Sequence, residues 1–188
     1  MSPPEPPKPM RVRDFADDCA ALDAQAFREK HAVAFLVYEG SEGEWEAGPD
    51  PFQQTACVTI PKDLDKNAGW LRADYLVFLV RKARLSSSLD SVTVGRLSNS
   101  DICIPDESLS KFHALFQRGE AAELRLLDTS LRSATMVNGK PVPNQHEGDS
   151  VKLTSGDRLQ FGSVMLTFLD ASDFRDQVAS TCGRTPRR

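Results

Sequence analysis

Residues 92–114, with the sequence VTVGRLSNSDICIPDESLSKFHA, form the most informative segment of the chain. A short β-branched run, Val92–Val94, predicts a strand, and a Gly-Arg pair follows it at once. The guanidinium of Arg96 is expected to emerge at a loop, where its fixed fork of donors can hold a phosphate in a bidentate way. Ser110 and Lys111 lie in the next loop and offer one neutral and one charged donor to other phosphate oxygens. Loops at one end of a rigid β-sandwich are a common place for recognition residues.

Arg96 belongs to the first of six landmarks that follow one another along the chain in a fixed order. The six are Gly95-Arg96, Asp101-Ile-Cys-Ile104, Ser110-Lys-Phe-His113, Asp128, Val137-Asn-Gly139 and Gly156-Asp-Arg-Leu-Gln-Phe-Gly162. In this order they resemble the forkhead-associated (FHA) domain family, whose pattern has the same residue types at the same places. The resemblance covers about residues 75–169. It implies an FHA-type β-sandwich that recognises phosphothreonine-containing proteins, in other words a phosphopeptide-binding module.

The resemblance also implies a role for each matching residue. Arg96, Ser110 and Lys111 would bind phosphate. His113 would be structural, with its ring bonded to backbone so that the loop at residues 110–112 (the serine loop) keeps its shape. Gly95 and the pair Asn138-Gly139 would support the architecture, the pair as a tight turn that requires positive φ.

The sequence departs from the family pattern between Leu131 and Thr135. The family usually has Ser-Thr/Ser-Asn-Gly-Thr there, and only the final threonine is present. Arg132 takes the place of a hydroxyl residue that helps to bind phosphate, so it is a candidate phosphate ligand. Ser133 takes the place of an asparagine that holds the peptide backbone, so it is a candidate peptide-binding residue with a shorter reach. Phosphate attraction is expected to survive here better than the grip on the peptide.

Outside the landmarks, the second half of the chain is mainly β. Short apolar runs separated by turn residues predict strands at 56–60, 75–80, 92–94, 114–116, 124–127, 151–153 and 164–169. A short helix is predicted at 171–178, and a basic tail follows it.

The first half of the chain is different. Residues 1–10 form a Pro-rich segment that is expected to be a flexible tail. Apolar residues at helical spacing predict an amphipathic helix from Asp14, its N-cap, to Lys30, and an apolar run predicts a buried strand at Val33–Tyr38. The acid-rich segment Glu39–Gln54 predicts a loop or linker. We expect residues 14–38 to pack on the sandwich, because their apolar side chains would otherwise face water.

Four segments are therefore predicted: a tail at 1–10, an N-terminal helix and strand extension at 11–60, an FHA domain at 70–172, and a short helix with basic tail at 173–188. The 188 residues are 40% hydrophobic and 27% charged, ordinary values for a soluble domain. The sequence start lacks a secretory signal, and no apolar run is long enough to span a membrane, so a cytoplasmic location without membrane contact is expected.

Charge and metal-ligating residues exclude other classes of function. The net charge of −4 argues against nucleic acid as the main partner. The four cysteines are widely scattered and are expected to be reduced, and the three histidines have no ligand-like spacing. No metal and no cofactor are therefore expected. The sequence also lacks a phosphate-binding glycine loop and a nucleophile elbow, and no carboxylate stands near Asp157 to make it a general acid, so we expect no enzyme.

Two functions remain. The first is a phosphothreonine-dependent adaptor in Ser/Thr kinase signalling. The second is an FHA scaffold that has lost phosphate dependence and works by dimerisation or assembly through its N-terminal extension. The oligomeric state and the identity of the partner do not follow from the sequence.

Overall fold

The computed structural model describes residues 9–38, 70–82, 91–119, 123–130, 134–144 and 149–183. The strand predicted at 56–60, the loop or linker at 39–54, most of the Pro-rich tail and the residues Arg132 and Ser133 lie outside these ranges. No helix in the described ranges is both long and apolar enough to cross a membrane.

Twelve strands are present in the described residues. They are β1 (Met10–Arg11), β2 (Ala34–Tyr38), β3 (Leu76–Leu79), β4 (Val92–Gly95), β5 (Ile102–Cys103), β6 (Ala114–Arg118), β7 (Leu124–Asp128), β8 (Thr135–Val137), β9 (Lys140–Pro141), β10 (Val151–Lys152), β11 (Arg158–Phe161) and β12 (Val164–Asp170). The helices are a 3-10 turn (Val12–Phe15), α1 (Ala16–Ala21), α2 (Ala24–Lys30) and α3 (Ala171–Cys182). The predicted mainly β fold with an N-terminal helix and strand and a short C-terminal helix is confirmed.

The strands form two sheets. One has the order β1-β3-β2-β12-β11-β8-β9 and the other has the order β10-β7-β6-β4-β5. Buried side chains from both sheets, such as Leu36, Phe168, Phe116 and Leu126, belong to one continuous apolar core. Burial of such residues is the main driving force for a two-layer sandwich.

The strand β2 lies inside the larger sheet rather than beside the sandwich. It pairs with β12 on one side, with Phe35 opposite Leu169, and with β3 on the other, with Phe35 opposite Leu79. All five of its residues are buried, because alternate side chains face two different cores. Leu36 points into the sandwich, and Phe35 points into a second core beneath the helices. This double burial explains why the segment is a continuous apolar run rather than an alternating one.

The second core joins the N-terminal helices, α3 and the outer face of the larger sheet. Its aromatic centre is Phe15, Phe27, Phe35 and Phe174, and the rings of Phe35 and Phe174 are stacked with centroids 4.1 Å apart. Phe15 meets both Phe35 and Phe174 edge-on, a favourable aromatic geometry. The expectation that residues 14–38 pack on the sandwich is confirmed.

The prediction of one helix from Asp14 to Lys30 is wrong. The helix is interrupted at Leu22, whose backbone is extended with φ −106° and ψ 144°. A second helix, α2, then begins after the N-cap Asp23, whose carboxylate accepts from Ala26 N at 2.8 Å. Asp14 is not an N-cap, because its carboxylate reaches back to accept from Arg11 N at 2.7 Å at the start of the 3-10 turn. The apolar residues keep their helical spacing across Leu22, so this spacing alone does not reveal the interruption. The capping side chain of Asp23 sets the point at which α2 begins.

The predicted boundaries of the N-terminal tail and of the C-terminal helix also differ from those in the structure. Met10 pairs with Val77 in the larger sheet, so regular structure begins within the predicted tail. At the other end, α3 continues four residues beyond the predicted end at Val178, as far as Cys182. Asp170 caps this helix by accepting from Asp173 N at 2.9 Å.

Candidate functional site

The centre of the candidate site is a close approach between two backbone segments. The strand β4 ends at Gly95, and a Cβ atom there would lie 2.9 Å from the Ser100 hydroxyl and still closer to the carbonyl oxygen of Lys111. Only glycine fits this approach without displacing backbone. Arg96 N then donates to Ser110 O at 3.2 Å. The predicted phosphate ligands Arg96, Ser110 and Lys111 are therefore held side by side by the backbone itself.

The Arg96 side chain is half-buried. Its Nε is fully buried and has no hydrogen-bond partner among the described residues. A buried guanidinium N–H without an acceptor is unfavourable, and an oxygen of a bound anion would satisfy it. Among the predicted ligands in the described residues, Arg96 is thus the one whose side chain most clearly requires an anionic partner.

The His113 side chain holds the serine loop. It is fully buried, its Nδ1 accepts a hydrogen bond from Ser110 N at 3.0 Å, and its ring meets Phe161 edge-on. Burial lowers the pKa of His113 below its usual value, and the charge of Asp128 opposes this shift. The imidazole is therefore neutral near pH 7, with its proton on Nε2. A catalytic role is not indicated, since both ring nitrogens are enclosed.

A hydrogen-bond network not anticipated from the sequence ties the loop before Ser110 to the turn between β11 and β12. Asp106 accepts from Ser108 N at 2.8 Å and from the Ser108 hydroxyl at 2.5 Å. The Ser108 hydroxyl also accepts from Ser163 N at 2.8 Å. Gly162, with φ +60°, allows this contact, because a Cβ there would collide with the Ser108 backbone. The Asp-x-Ser spacing at 106–108 is the sequence signal that could have revealed part of the network.

Asp128 fixes the two flanks of the segment that contains Arg132 and Ser133. It is buried, and its carboxylate accepts from Ser130 N at 3.0 Å and from the Thr135 hydroxyl at 2.8 Å. Thr129 N donates to His113 O at 3.0 Å, so the first flank lies beside the serine loop. Arg132 and Ser133 themselves lie outside the described residues, and their roles stay predictions.

Asn138, Gly139 and Asp157 lie at the other end of β11. Asn138 and Gly139 have φ values of +52° and +77°, and Asn138 Oδ1 accepts from Arg158 N at 2.9 Å. The Asp157 carboxylate accepts from Thr154 N and from Asn138 Nδ2, each at 2.7 Å. These bonds assign the three residues to turn structure, away from the predicted phosphate ligands.

Two further properties characterise the site. Phe112, between Lys111 and His113, is 49% exposed and is the one exposed large hydrophobic residue in the described part of the chain. No cluster of three or more His, Cys, Asp or Glu side chains suited to a metal ion occurs there either. The serine loop thus presents an ammonium group and an aromatic ring from a rigid frame, whereas Ser110 beside them is only 9% exposed.

Comparison with known proteins agrees with this architecture. The family model for the FHA domain matches residues 92–162. Glycogen accumulation regulator GarA from Mycolicibacterium smegmatis is 37% identical over 79 residues, which are 42% of this chain and 46% of that protein. Oxoglutarate dehydrogenase inhibitor from Corynebacterium diphtheriae is 32% identical over 88 residues, 47% of this chain and 57% of that protein. The chain spans about half the length of the curated relatives it matches.

Among solved structures, the N-terminal FHA domain of Rad53p from S. cerevisiae, in complex with a phosphothreonine peptide, is 25% identical. The match covers 46% of this chain and 72% of that one, with a TM-score of 0.40. The family model and the ordered landmarks agree on the same residues. Residues 92–162 of this chain therefore match the forkhead-associated domain family.

Proposed function

We propose that this chain is a phosphothreonine-dependent protein-interaction module that acts as an adaptor in Ser/Thr kinase signalling. One observation carries the proposal: the backbone places Arg96 beside Ser110 and Lys111, and the buried Arg96 Nε has no acceptor among the described residues. In this proposal the guanidinium and the ammonium bind the phosphate dianion, and the Ser110 hydroxyl donates to a remaining oxygen. Arg132 and Ser133 would contribute from the neighbouring segment, as phosphate and peptide ligands respectively.

The relatives support a binding role rather than an enzymatic one. Their names describe a regulator of glycogen accumulation and an inhibitor of oxoglutarate dehydrogenase. Because this chain spans only about half of each, we carry over the regulatory character and not the target. The partner would be a protein phosphorylated on threonine, and neither nucleic acid nor a membrane enters the proposal.

The phosphate-independent scaffold is the weaker alternative. It would need the N-terminal extension to present an apolar surface for a second subunit. Phe15 and Phe27 are instead fully buried in the second core, and Cys19 is 3% exposed. The exposed Phe112 belongs to the serine loop, not to the extension. The phenylalanines of the extension that the structure describes are thus buried within the chain.

Titration calorimetry with a phosphothreonine peptide library tests the proposal. Arg96→Ala should leave the fold intact and weaken binding by about 2–5 kcal/mol, roughly thirtyfold or more, because a bidentate charged contact is lost. Arg118→Ala is the matched control. Arg118 is an exposed arginine at the far end of β6 from the serine loop, so its removal should leave affinity unchanged.

Each other outcome has a distinct meaning. Equal affinity of the Arg96→Ala variant and the unaltered chain would contradict the assignment of Arg96. Equal binding of the phosphorylated and unphosphorylated libraries, or no binding by the correctly folded chain, would favour the phosphate-independent scaffold.

A further inference from the structure

A second concave surface lies away from the serine loop. It has a volume of about 700 Å³ and is bordered by the end of α2, the residues that enter β2, the end of β3, and the ends of β4, β6 and β7. In the smaller sheet, Val94 pairs with Ala114 next to His113, whereas Val92 pairs with Phe116 further along β6. The groove includes Val92, Phe116 and Arg118. It therefore opens at the opposite end of β6 from the candidate phosphate site.

The floor of the groove is apolar. Val33, Val92 and Leu124 line it, are only partly buried, and pack against the sandwich core. They leave apolar surface facing the groove, and covering such surface with another apolar group is favourable. The helix α2 supplies one wall, so the groove exists only because the N-terminal segment packs on the sandwich.

The rim of the groove is strongly basic, although the whole chain carries a net charge of −4. The cations are Arg28, Lys30, Arg81, Lys82 and Arg118, and the one carboxylate among the lining residues is Glu29. Such a concentration of one sign of charge around a concavity raises the local potential for an anionic ligand.

Two of these cations are available to a ligand. Lys30 pairs with Asp18 at 2.7 Å, Lys82 lies 3.6 Å from Asp101, and Arg81 donates to His31 O at 3.2 Å. The side chains of Arg28 and Arg118 are exposed and have no ion-pair or hydrogen-bond partner among the described residues. They come from α2 and β6, so they approach the groove from different walls.

We propose that this groove binds an acidic segment of a second partner protein, with an apolar side chain of that segment on the valine and leucine floor. The charge of the rim selects carboxylates, and the floor selects a polypeptide with an apolar residue over a simple polyanion. Because the groove and the candidate phosphate site lie at opposite ends of β6, one molecule can hold both partners at once.

Fluorescence anisotropy with a labelled, glutamate-rich peptide that carries a central Leu pair tests this proposal on the full chain. The variant Arg28→Glu/Arg118→Glu should bind it at least about tenfold more weakly, since two favourable charge contacts become repulsive. The control Arg72→Glu/Lys140→Glu changes the net charge equally at two exposed residues outside the groove and should bind normally. Matched peptides with Gln for Glu, or Ser for Leu, should both bind more weakly than the parent. A saturating phosphothreonine peptide should not displace the acidic peptide.

Several results would overturn the proposal. One is an equal loss of affinity in the control variant and the groove variant. A second is unchanged affinity of the groove variant. Both results count when the two variants melt at the temperature of the unaltered chain. Another is equal binding of the Ser-for-Leu peptide, or full competition by a single-stranded oligonucleotide, which would indicate a general polyanion surface. If only a chain lacking the acid-rich residues 39–50 binds the peptide, the occupant is the chain's own segment and not a partner.

Discussion

At Gly95 the chain has no side chain where β4 passes the Lys111 carbonyl, and this close approach sets the position of the proposed phosphate ligands. We predict that Gly95→Ala separates the two segments and both destabilises the protein and weakens phosphopeptide binding. Overpacking of this kind costs about 1–3 kcal/mol. Urea unfolding and calorimetric titration of the same variant measure the two effects.

The control for this prediction is Gly139→Ala. Gly139 has φ +77°, but a Cβ there would have no atom within 4 Å. Alanine should therefore cost only backbone strain, about 1–2 kcal/mol, and should leave binding unchanged. Equal loss of binding in both variants would show that general destabilisation, not the position of Lys111, explains the result.

The buried His113 predicts a pH dependence of stability. Burial lowers its pKa in the folded chain, so between about pH 7 and pH 5 the unfolded chain binds a proton that the folded chain resists. Stability should fall as the pH falls through this range, and protonation of Nδ1 would also break the bond from Ser110 N.

The variant His113→Gln isolates this effect, because an amide oxygen can accept from Ser110 N but does not titrate. The free energy of unfolding, measured by urea at a series of pH values, should fall less steeply toward pH 5 in the variant. Parallel pH profiles of the two proteins would contradict a native histidine held neutral by burial.

The altered segment at Arg132 and Ser133 gives a prediction that rests on the sequence. If Arg132 turns away from the two cations Arg96 and Lys111, the site lacks a hydroxyl donor and an amide. Restoring them with Arg132→Thr/Ser133→Asn should tighten phosphothreonine-peptide binding by roughly tenfold, the sum of two hydrogen bonds. Weaker binding by the double variant, in calorimetry against the same peptide, would instead identify Arg132 as a phosphate ligand.

The sequence was sufficient to propose the phosphate ligands but not to predict the frame that holds them. Arg96 and Ser110 belong to short motifs, and their functional groups follow from residue type. The bond from Ser163 N to the Ser108 hydroxyl, and the bond from Thr135 to the Asp128 carboxylate, depend on where the β11–β12 turn and the two sheets meet. A carboxylate in a turn has many possible donors, and only the tertiary fold selects among them.

Among the elements, β2 joins the extension to the sandwich. Its apolar run was sufficient to predict a buried strand, but not its place between β3 and β12, since single-strand patterns carry no pairing information. We propose that residues 10–38 fold as one unit with the β-sandwich rather than as a separate segment. The interruption between α1 and α2 was not predicted, because apolar spacing alone contains no information about the helix cap at Asp23.

The aromatic cluster of the second core tests this proposal at the level of elements. Phe15→Ala should lower the free energy of unfolding by about 3–5 kcal/mol, because its ring is fully buried between Phe27, Phe35 and Phe174. The matched control Phe112→Ala removes an exposed ring and should cost no more than about 0.5 kcal/mol. Guanidinium unfolding monitors both variants, and a small loss at Phe15 would indicate an independent, loosely attached segment.

In the molecule as a whole, the proposed functions separate along β6. The serine loop lies at the start of this strand and the basic groove at its end. The sandwich is a rigid spacer between them, since its interior is one continuous apolar core. A phosphorylated partner and an acidic partner could then be held at fixed separation, the geometry that an adaptor requires.

The central claim is that the Arg96 and Ser110 loops recognise phosphothreonine, and an NMR titration of the isotope-labelled full chain tests it most directly. Addition of a phosphothreonine peptide should shift the backbone amides of Arg96, Ser110 and Lys111 and leave those of Val92 and Leu124 unchanged, whereas the unphosphorylated peptide should shift none of them. Equal shifts with both peptides, or phosphate-dependent shifts confined to residues outside the two loops, would contradict the account.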